Sequence, residues 1–190
     1  MTISLPFKES TLVFEVNNPV ERYRIADFGD EKEFLEQFVF ATQPDDVVFD
    51  VGASVGLMTV YAASAAFKGR VFAFEPDPET MRRLRCNVLL NSLSNVELLP
   101  WVLSADGAGG AAPGIRRQEN RPEAPKGMLM MSSTSLDAEI TTNSLTLPTV
   151  IKIDIEGAEI LALRGARKLL TGLFGPKPRV VFLEVISSLF

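Results

Sequence analysis

The chain has 190 residues, a formal net charge of −5, a single cysteine and no histidine, and 46% of its residues are apolar. This composition predicts one folded domain with a substantial core, and it excludes an internal disulfide or a zinc site built from cysteines. Without histidine, a Ser-His catalytic pair is excluded too. Any proton transfer has to use carboxylates, lysine, tyrosine or an oxygen-ligated cation.

Charge and hydropathy also limit the partners that we expect. The acidic balance argues against a large contact with a phosphate backbone, so no nucleic-acid partner is expected. No stretch approaches the roughly 18 apolar residues of a membrane helix, and the amino terminus lacks the layout of a signal peptide. We therefore expect no membrane partner and, with Cys86 as the one thiol, a reducing cytoplasmic location.

Residues 1–44 are expected to form an N-terminal β-hairpin and helix that pack on the core of the same domain. Two β-rich runs, 11–16 and 20–28, flank an Asn-Asn-Pro turn signal and predict the hairpin. Residues 31–41 have an amphipathic pattern, and Asp30 is placed to cap the helix that this pattern predicts.

Residues 45–190 alternate apolar strands with helices, which predicts an α/β domain with a doubly wound, mostly parallel sheet and helices on both faces. The predicted strands are 46–51, 70–75, 95–102, 150–155 and 179–185. The predicted helices are 55–67, 78–90 and 158–171. Asp77 and Pro78 mark the start of the second helix, and Pro100 places the third strand at a sheet edge.

Residues 104–127 interrupt this alternation with a segment rich in glycine, alanine and proline. A loop of this length predicts either a mobile lid or a tolerated surface insertion. Arg116, Arg117 and Arg121 belong to this loop. Either contact with an acidic substrate or a solvated loop face accounts for these arginines.

Acidic residues end four of the five predicted strands. They are Asp50, Glu75, Asp154 with Glu156, and Glu184. In an open α/β sheet, ligands bind outside the carboxyl ends of the strands, so these acids are expected to meet at one site. We expect Lys152 to point away from Asp154 along its strand, which leaves the acids without an evident internal partner.

The segment DVGASVGLMT joins the first of these strands to a helix through a loop with Gly52 and Gly56. A dinucleotide fold needs a third glycine so that the backbone can approach a pyrophosphate, which Asp50 would repel. S-adenosylmethionine instead carries an ammonium and a sulfonium, and its carboxylate can bind backbone N–H groups near Ser54. Glu75 is placed to accept hydrogen bonds from a ribose diol. The loop therefore favours S-adenosylmethionine over a nicotinamide dinucleotide.

From about residue 12 to residue 185, the chain resembles the FkbM-type methyltransferases, which are class I (Rossmann-like) enzymes that depend on S-adenosylmethionine. The resemblance is carried, in chain order, by VFDVGASVGLMT, GRVFAFEPDPETMRRLRCNVLLN, SLSNVELLP, TSLD, VIKIDIEGAEILALRGARKLL and VVFLEV. It implies methyl transfer to a hydroxyl of a small molecule, either a sugar or a natural product.

The resemblance also implies roles for individual residues in cofactor binding. Glu75 would bind the ribose, and Asn95 would shape the adenine side. Trp101 or Val102 would cover the adenine face, with plain core packing as the alternative for Trp101. The residues that would line the methionine end are Asp50, Gly52, Ala53 and Gly56.

Methyl transfer is an in-line displacement during which the acceptor hydroxyl has to lose its proton. The candidates for accepting this proton are Asp154, Glu156, Glu184 and, less favoured, Lys152. Asp154 is the first choice, because its strand is expected to lie next to the cofactor strand. Glu156 and Glu159 also fit an ordinary role as first-turn acids of a helix. The clustered carboxylates would suit Mg²⁺ as well, although no residue is assigned to a metal.

Class I methyltransferases normally continue past the fifth strand with a helix and two closing strands, whereas this sequence ends five residues after VVFLEV. Ile186 stands where related sequences commonly carry a histidine. We therefore expect either an apolar edge strand that a second copy covers in a homodimer, or an incomplete substrate side. Two alternative functions stay open. They are a non-catalytic cofactor-binding or interaction module and, less favoured, an NAD-dependent oxidoreductase.

Overall fold

In the computed structural model, the described residues are 1–28, 31–105, 111–114, 129–155 and 157–184. The strands are β1 (Thr2–Phe7), β2 (Ser10–Glu15), β3 (Val47–Val51), β4 (Arg70–Phe74), β5 (Val96–Leu99), β6 (Val102–Leu103), β7 (Ala111–Gly114), β8 (Leu129–Thr134), β9 (Val150–Ile153) and β10 (Val180–Leu183). The helices are α1 (Pro19–Ala26), α2 (Lys32–Ala41), α3 (Leu57–Ala65), α4 (Pro78–Leu90), α5 (Leu136–Thr142), α6 (Glu159–Gly165) and α7 (Arg167–Thr171). Within these ranges, every helix is too short or too polar to span a membrane.

Five strands form a parallel sheet in the order β10-β9-β3-β4-β5, which confirms the predicted doubly wound α/β class. β5 and β10 are the two edge strands, so the edge position predicted for the strand before Pro100 is confirmed. Because the strands are parallel, their carboxyl ends all lie at the same edge of the sheet. We call this the carboxyl edge, and the opposite one the amino edge.

Helices cover both faces of this sheet, because successive strand residues point to opposite sides. Val48, Val71 and Val150 face a core that contains α2 and α3. Phe49 and Ile151 face a second core, which contains residues of α5, α6 and α7. α3 carries no charge and is buried along most of its length, as the sequence predicts.

The N-terminal hairpin lies earlier in the chain than predicted. β1 and β2 pair antiparallel, and residues 19–26 form α1 instead of a strand. The Asn-Asn-Pro signal begins this helix: the Asn18 side chain accepts a hydrogen bond from the Glu21 amide, and the Glu21 carboxylate accepts one from the Asn17 amide. This reciprocal capping, followed by proline in the first turn, stabilises a helix start rather than a hairpin turn.

Helix α4 and the strand after it lie close to their predicted ranges, but the predicted strand is interrupted. α4 matches its predicted range, and Asp77 is its N-cap. The predicted strand 95–102 is interrupted at Pro100, and the residues beyond it form β6, which pairs with β8 in a separate sheet. Proline cannot donate the hydrogen bond that a continuous strand would need at this position.

Other boundaries also differ from the prediction. The predicted helix 158–171 is divided at Ala166 into α6 and α7. The N-cap of α2 is Glu31, and Asp30 lies outside the described residues. Within the predicted loop 104–127, the structure describes the first two residues and β7, and the loop arginines lie outside the described residues.

Polar contacts hold the hairpin and α1 on α4. The side chains of Asn87 and Asn91 bond to the backbone of β2. Arg83 of α4 forms an ion pair with Glu21 of α1, and both side chains are buried. Because a buried charge is tolerated only with a partner, this pair ties the two helices together.

β10 is an apolar edge strand, as the sequence predicts. On one face, Phe182 packs edge-on against Phe34 and Phe38 of α2, with ring centroids 5.7 and 5.4 Å away. On the other face, Val181 and Leu183 are 39% and 36% exposed. In the described part of the chain, α2 therefore covers one face of β10 and the other face meets solvent.

Asp46 connects three segments at the amino edge. Its carboxylate accepts hydrogen bonds from the Arg179 guanidinium at 2.8 and 3.0 Å, the Thr149 hydroxyl at 2.7 Å and the Gln43 amide at 2.6 Å. Burial alone would raise the pKa of Asp46, but these hydrogen bonds and the charge of Arg179 hold it below its ordinary value.

Replacing Asp46 with Asn should lower the free energy of unfolding by about 1.5–3 kcal/mol at neutral pH, because charge-assisted hydrogen bonds to Arg179 are lost. A carboxyl with a lowered pKa stabilises the fold above its unfolded pKa, and this contribution disappears as the pH falls below about 4. Urea unfolding should therefore separate the variant from wild type at neutral pH and bring them together in acid. Asp45→Asn, at the exposed neighbouring position, is the control, and equal losses in both variants would contradict this account.

Candidate functional site

The carboxyl edge brings together acids from four strands of the central sheet. Asp50 lies within β3, and Glu75, Asp154 and Glu184 directly follow β4, β9 and β10. Glu156 lies outside the described residues. Four of the five acids expected at this edge are therefore placed there.

The turn from β3 to α3, which we call the glycine turn, is in close contact with the residues at the ends of β4 and β9. The amides of Gly52 and Ala53 both donate to the Phe74 carbonyl at 3.0 Å. Gly52 has a φ of +83°, and a Cβ at this residue would lie 1.9 Å from the Asp154 carbonyl oxygen. Gly56, with a φ of +95°, is the N-cap of α3. Only glycine satisfies both the conformation and the close approach at position 52.

Glu75 is anchored where the glycine turn meets β4. Its carboxylate accepts hydrogen bonds from the Ser54 and Asp77 amides, both at 2.9 Å, and the residue is 8% exposed. Burial raises the pKa of Glu75, although the two hydrogen bonds act in the opposite direction. A carboxylate has about four acceptor positions, so Glu75 keeps capacity for a ligand diol while the backbone fixes its orientation.

Asp50 is not the free carboxylate that the sequence suggests. It is fully buried, accepts a hydrogen bond from the Thr59 hydroxyl at 2.5 Å and forms an ion pair with Lys152 Nζ at 3.1 Å. The parallel register of β3 and β9 places Asp50 directly beside Lys152. The expectation that this acid lacks an internal partner is wrong, because residues paired in register share one face of the sheet.

Lys152 also contacts Asp154, and the prediction that it points away is wrong. Alternate residues of a strand lie on the same face, and Lys152 Nζ is 3.6 Å from Asp154 Oδ2. Nζ also donates to the Gly52 carbonyl at 2.8 Å. Burial lowers the pKa of Lys152, but the charges of Asp50 and Asp154 outweigh burial and raise it above its ordinary value. Lys152 therefore stays an ammonium, which argues against its predicted role as a proton acceptor.

Glu31 joins Asp154 and Glu184 in a group that we call the carboxylate cluster, in which one oxygen of each acid lies within 4.8 Å of the others. The pKa of Glu184 is raised to about 7 by burial, by a hydrogen bond and negative charge from Asp154, and by the charge of Glu31. The charge of Lys152 acts in the opposite direction. A carboxyl of this pKa can accept a proton near neutral pH.

Sequence reasoning does not find Glu31. This residue is the N-cap of α2, more than a hundred positions before the strands that supply its neighbours. Its local pattern is that of an ordinary acid at the start of a helix, which favours the helix dipole without any ligand. The position of Glu31 depends on the packing of α2 against β10, and no local sequence pattern predicts this packing.

The predicted adenine contacts are divided between the two edges of the sheet. Trp101 and Val102 follow β5 at the carboxyl edge, and the half-buried Trp101 packs against the core on the α5 face. Asn95 precedes β5 at the amino edge, where its side chain donates to the carbonyls of Ala63 and Ala66 at the end of α3. The full length of β5 separates Asn95 from the carboxyl edge, which argues against its predicted adenine role.

The five-stranded parallel sheet, with an acid-bearing glycine turn at its carboxyl edge, is a doubly wound α/β fold. The chain belongs to the FkbM family, since the model of the methyltransferase FkbM domain matches residues 50–189, well over half of its length. The crystal structure of an FkbM methyltransferase from Methylobacillus flagellatus KT superposes with a TM-score of 0.53 and 18% identity. The superposition covers 85% of this chain and 44% of that one, and it supports the fold.

Curated relatives include methyltransferases from an archaeon and a fungus. The chain is 29% identical over 153 residues to the hexuronic acid methyltransferase AglP of Haloferax volcanii, covering 80% of this chain and 63% of AglP. It is 26% identical over 167 residues to Methyltransferase 1 of Beauveria bassiana, covering 71% of this chain and 67% of that protein. The chain thus spans about two thirds of the length of these relatives.

Gly52→Ala should lower the free energy of unfolding by clearly more than Gly157→Ala. Both glycines have a positive φ, +83° and +91°, so both substitutions incur the roughly 1–2 kcal/mol of a left-handed residue. A Cβ at Gly157 meets nothing within 4 Å, whereas one at Gly52 meets the Asp154 carbonyl and the Ile155 side chain. Urea denaturation of both variants tests this difference. Equal losses would mean that the glycine turn and the residues directly after β9 are not in close contact.

Proposed function

We propose that this chain binds S-adenosylmethionine at the carboxyl edge and transfers its methyl group to a hydroxyl of a sugar or another small molecule. The observation that carries the proposal is Glu75, a buried acid beside the glycine turn that the amide of Ser54 holds in place. Membership of the FkbM family supports the reaction, and the name of AglP, a hexuronic acid methyltransferase, supports a sugar acceptor.

Charge at the carboxyl edge favours a cationic cofactor over a dinucleotide. Lys152 contacts two carboxylates, Asp50 and Asp154, so this buried group keeps a net negative charge. An ammonium and a sulfonium are attracted to such a charge, and a pyrophosphate is repelled. In our proposal, Glu75 holds the ribose, and Trp101 and Val102 lie against the adenine. The residues proposed for the methionine end are Asp50, Gly52, Ala53, Ser54 and Gly56.

When bound, S-adenosylmethionine supplies an electrophilic methyl group that the acceptor oxygen takes in line, which leaves S-adenosylhomocysteine. The Glu184 carboxylate accepts the hydroxyl proton as the new bond to oxygen forms. We prefer Glu184 over Asp154 because its pKa of about 7 suits a base at neutral pH. Asp154 holds Glu184 in place, and Glu156 stays a candidate from the sequence. Mg²⁺ is no part of the proposal, since Lys152 already places a positive charge beside Asp154 of the cluster.

Calorimetric titration should show binding of S-adenosylhomocysteine that Glu75→Gln weakens about 10- to 100-fold, because charge-assisted hydrogen bonds to the ribose are lost. Glu79→Gln, at an exposed position in the first turn of α4, should leave the affinity unchanged. NAD should bind more weakly than S-adenosylhomocysteine.

Each of the other outcomes of this titration favours a different function. Binding of NAD without binding of S-adenosylhomocysteine would overturn the proposal in favour of an oxidoreductase. Binding of S-adenosylhomocysteine without methyl transfer to any of a panel of hydroxylated acceptors would favour a non-catalytic module. Equal affinity in wild type and the Glu75 variant would mean that the ribose lies elsewhere.

The value of kcat/KM for methyl transfer should rise with pH and level off above about 7, because Glu184 has to be ionised to accept a proton. Glu184→Gln should reduce kcat by about 10²- to 10⁴-fold, the usual contribution of a general base. Glu36→Gln, on the exposed side of α2, is the control and should keep the wild-type profile. A flat profile in wild type would exclude Glu184 as the base.

We also propose that the chain forms a homodimer through β10 and acts in the cytoplasm. The exposed Val181 and Leu183 and the edge position of β10 support the dimer, because an apolar edge strand is a template for pairing. Light scattering at high concentration should give the mass of two chains. A strictly monomeric mass would contradict pairing through this edge.

A further inference from the structure

The buried ammonium of Lys152 has no chemical step in the proposed reaction, yet it contacts both sides of the site. We propose that Lys152 is a positioning residue that couples the glycine turn to the proton acceptor, holding the Gly52 carbonyl on one side and Asp154 beside Glu184 on the other. This inference rests on the proposed methyl transfer. It assigns to one buried charge the positioning of both the cofactor turn and the proton acceptor.

On the cofactor side, Lys152 holds the carbonyl group of Gly52. The Gly52 amide donates to the Phe74 carbonyl at 3.0 Å, and the Gly52 carbonyl accepts from Lys152 Nζ at 2.8 Å. The ion pair with Asp50, at 3.1 Å, holds the ammonium at this level of the sheet. A side chain of β9 thus sets the path of the turn that follows β3.

On the acceptor side, the charge of Lys152 reaches the carboxylate cluster. Its ammonium lies 3.6 Å from Asp154, and Asp154 shares the cluster with Glu31 and Glu184. These groups act on Glu184 from two elements: Lys152 and Asp154 from β9 and the residue after it, and Glu31 from the start of α2. Lys152 favours the ionised form of Glu184, whereas Asp154 and Glu31 favour the protonated form. Lys152 and Glu31 therefore shift the pKa of Glu184 in opposite directions.

A second buried ion pair allows a purely structural role to be distinguished. Glu21 and Arg83 are both buried and join α1 to α4, and neither belongs to the strand ends of the carboxyl edge. Removing both of these charges changes the packing of the domain without changing the charge around Glu184. The double variant Glu21→Gln/Arg83→Met is therefore a matched control.

The first test measures the pH midpoint of kcat/KM. Lys152→Met alone would leave Asp50 buried and unpaired, so Asp50→Asn/Lys152→Met removes the pair as a unit, an exchange that proteins often tolerate. We expect its midpoint to move to higher pH, Glu31→Gln to move the midpoint to lower pH, and the Glu21/Arg83 double variant to keep it. An unchanged midpoint in the Lys152 double variant would overturn the inference.

The second test needs no variant, so it holds even if the double variant fails to fold. In wild type, the ¹⁵N resonance of the Lys152 ammonium should follow the titration of Glu184 near pH 7 and shift on addition of S-adenosylhomocysteine. If S-adenosylhomocysteine binds and this resonance does not move, the inference fails and the proposed function stands. If S-adenosylhomocysteine does not bind at all, the proposed function fails first.

Discussion

A positive charge enclosed in the middle of a parallel sheet needs negative partners around it, and this requirement organises the carboxyl edge. Lys152 is 2% exposed, and its partners are Asp50 on the adjacent strand, Asp154 further along its own strand and the carbonyl of Gly52. Since an unpaired buried charge costs several kcal/mol, the register of β3 with β9, the path of the glycine turn and the direction of Asp154 depend on one another.

The amino and carboxyl edges of the sheet shift carboxyl pKa values in opposite directions. At the amino edge, Asp46 has a guanidinium, a hydroxyl and an amide directed at it, and its pKa is lowered. At the carboxyl edge, several acids share the single ammonium of Lys152, and the pKa of Glu184 is raised. The first arrangement stabilises a fold. The second leaves charge and proton affinity available for a ligand, which is why perturbed acids at strand ends indicate a site.

Local signals predict elements well, whereas the site depends on contacts that they do not contain. Asp77 and Pro78 fix the start of α4 within adjacent residues, so its range follows from the sequence. The Asn-Asn-Pro signal is equally local, but turns and helix starts share it, and the β-rich residues around it favour the wrong alternative. The direction of Lys152 follows from the two-residue period of a strand and was predictable. The approach of Glu31 to Glu184 was not, because it depends on how α2 packs against β10.

That packing makes α2 and β10 a single mechanical unit. The rings of Phe34 and Phe38 of α2 pack against Phe182 of β10. Glu31 is the N-cap of this helix, and Glu184 directly follows this strand. The distance between Glu31 and Glu184 therefore depends on the volume of the three phenylalanine side chains that pack between α2 and β10. Replacing one of these phenylalanines with a smaller residue would let Glu31 and Glu184 move apart. The size of an apolar contact therefore governs the proton affinity of the Glu184 carboxyl group.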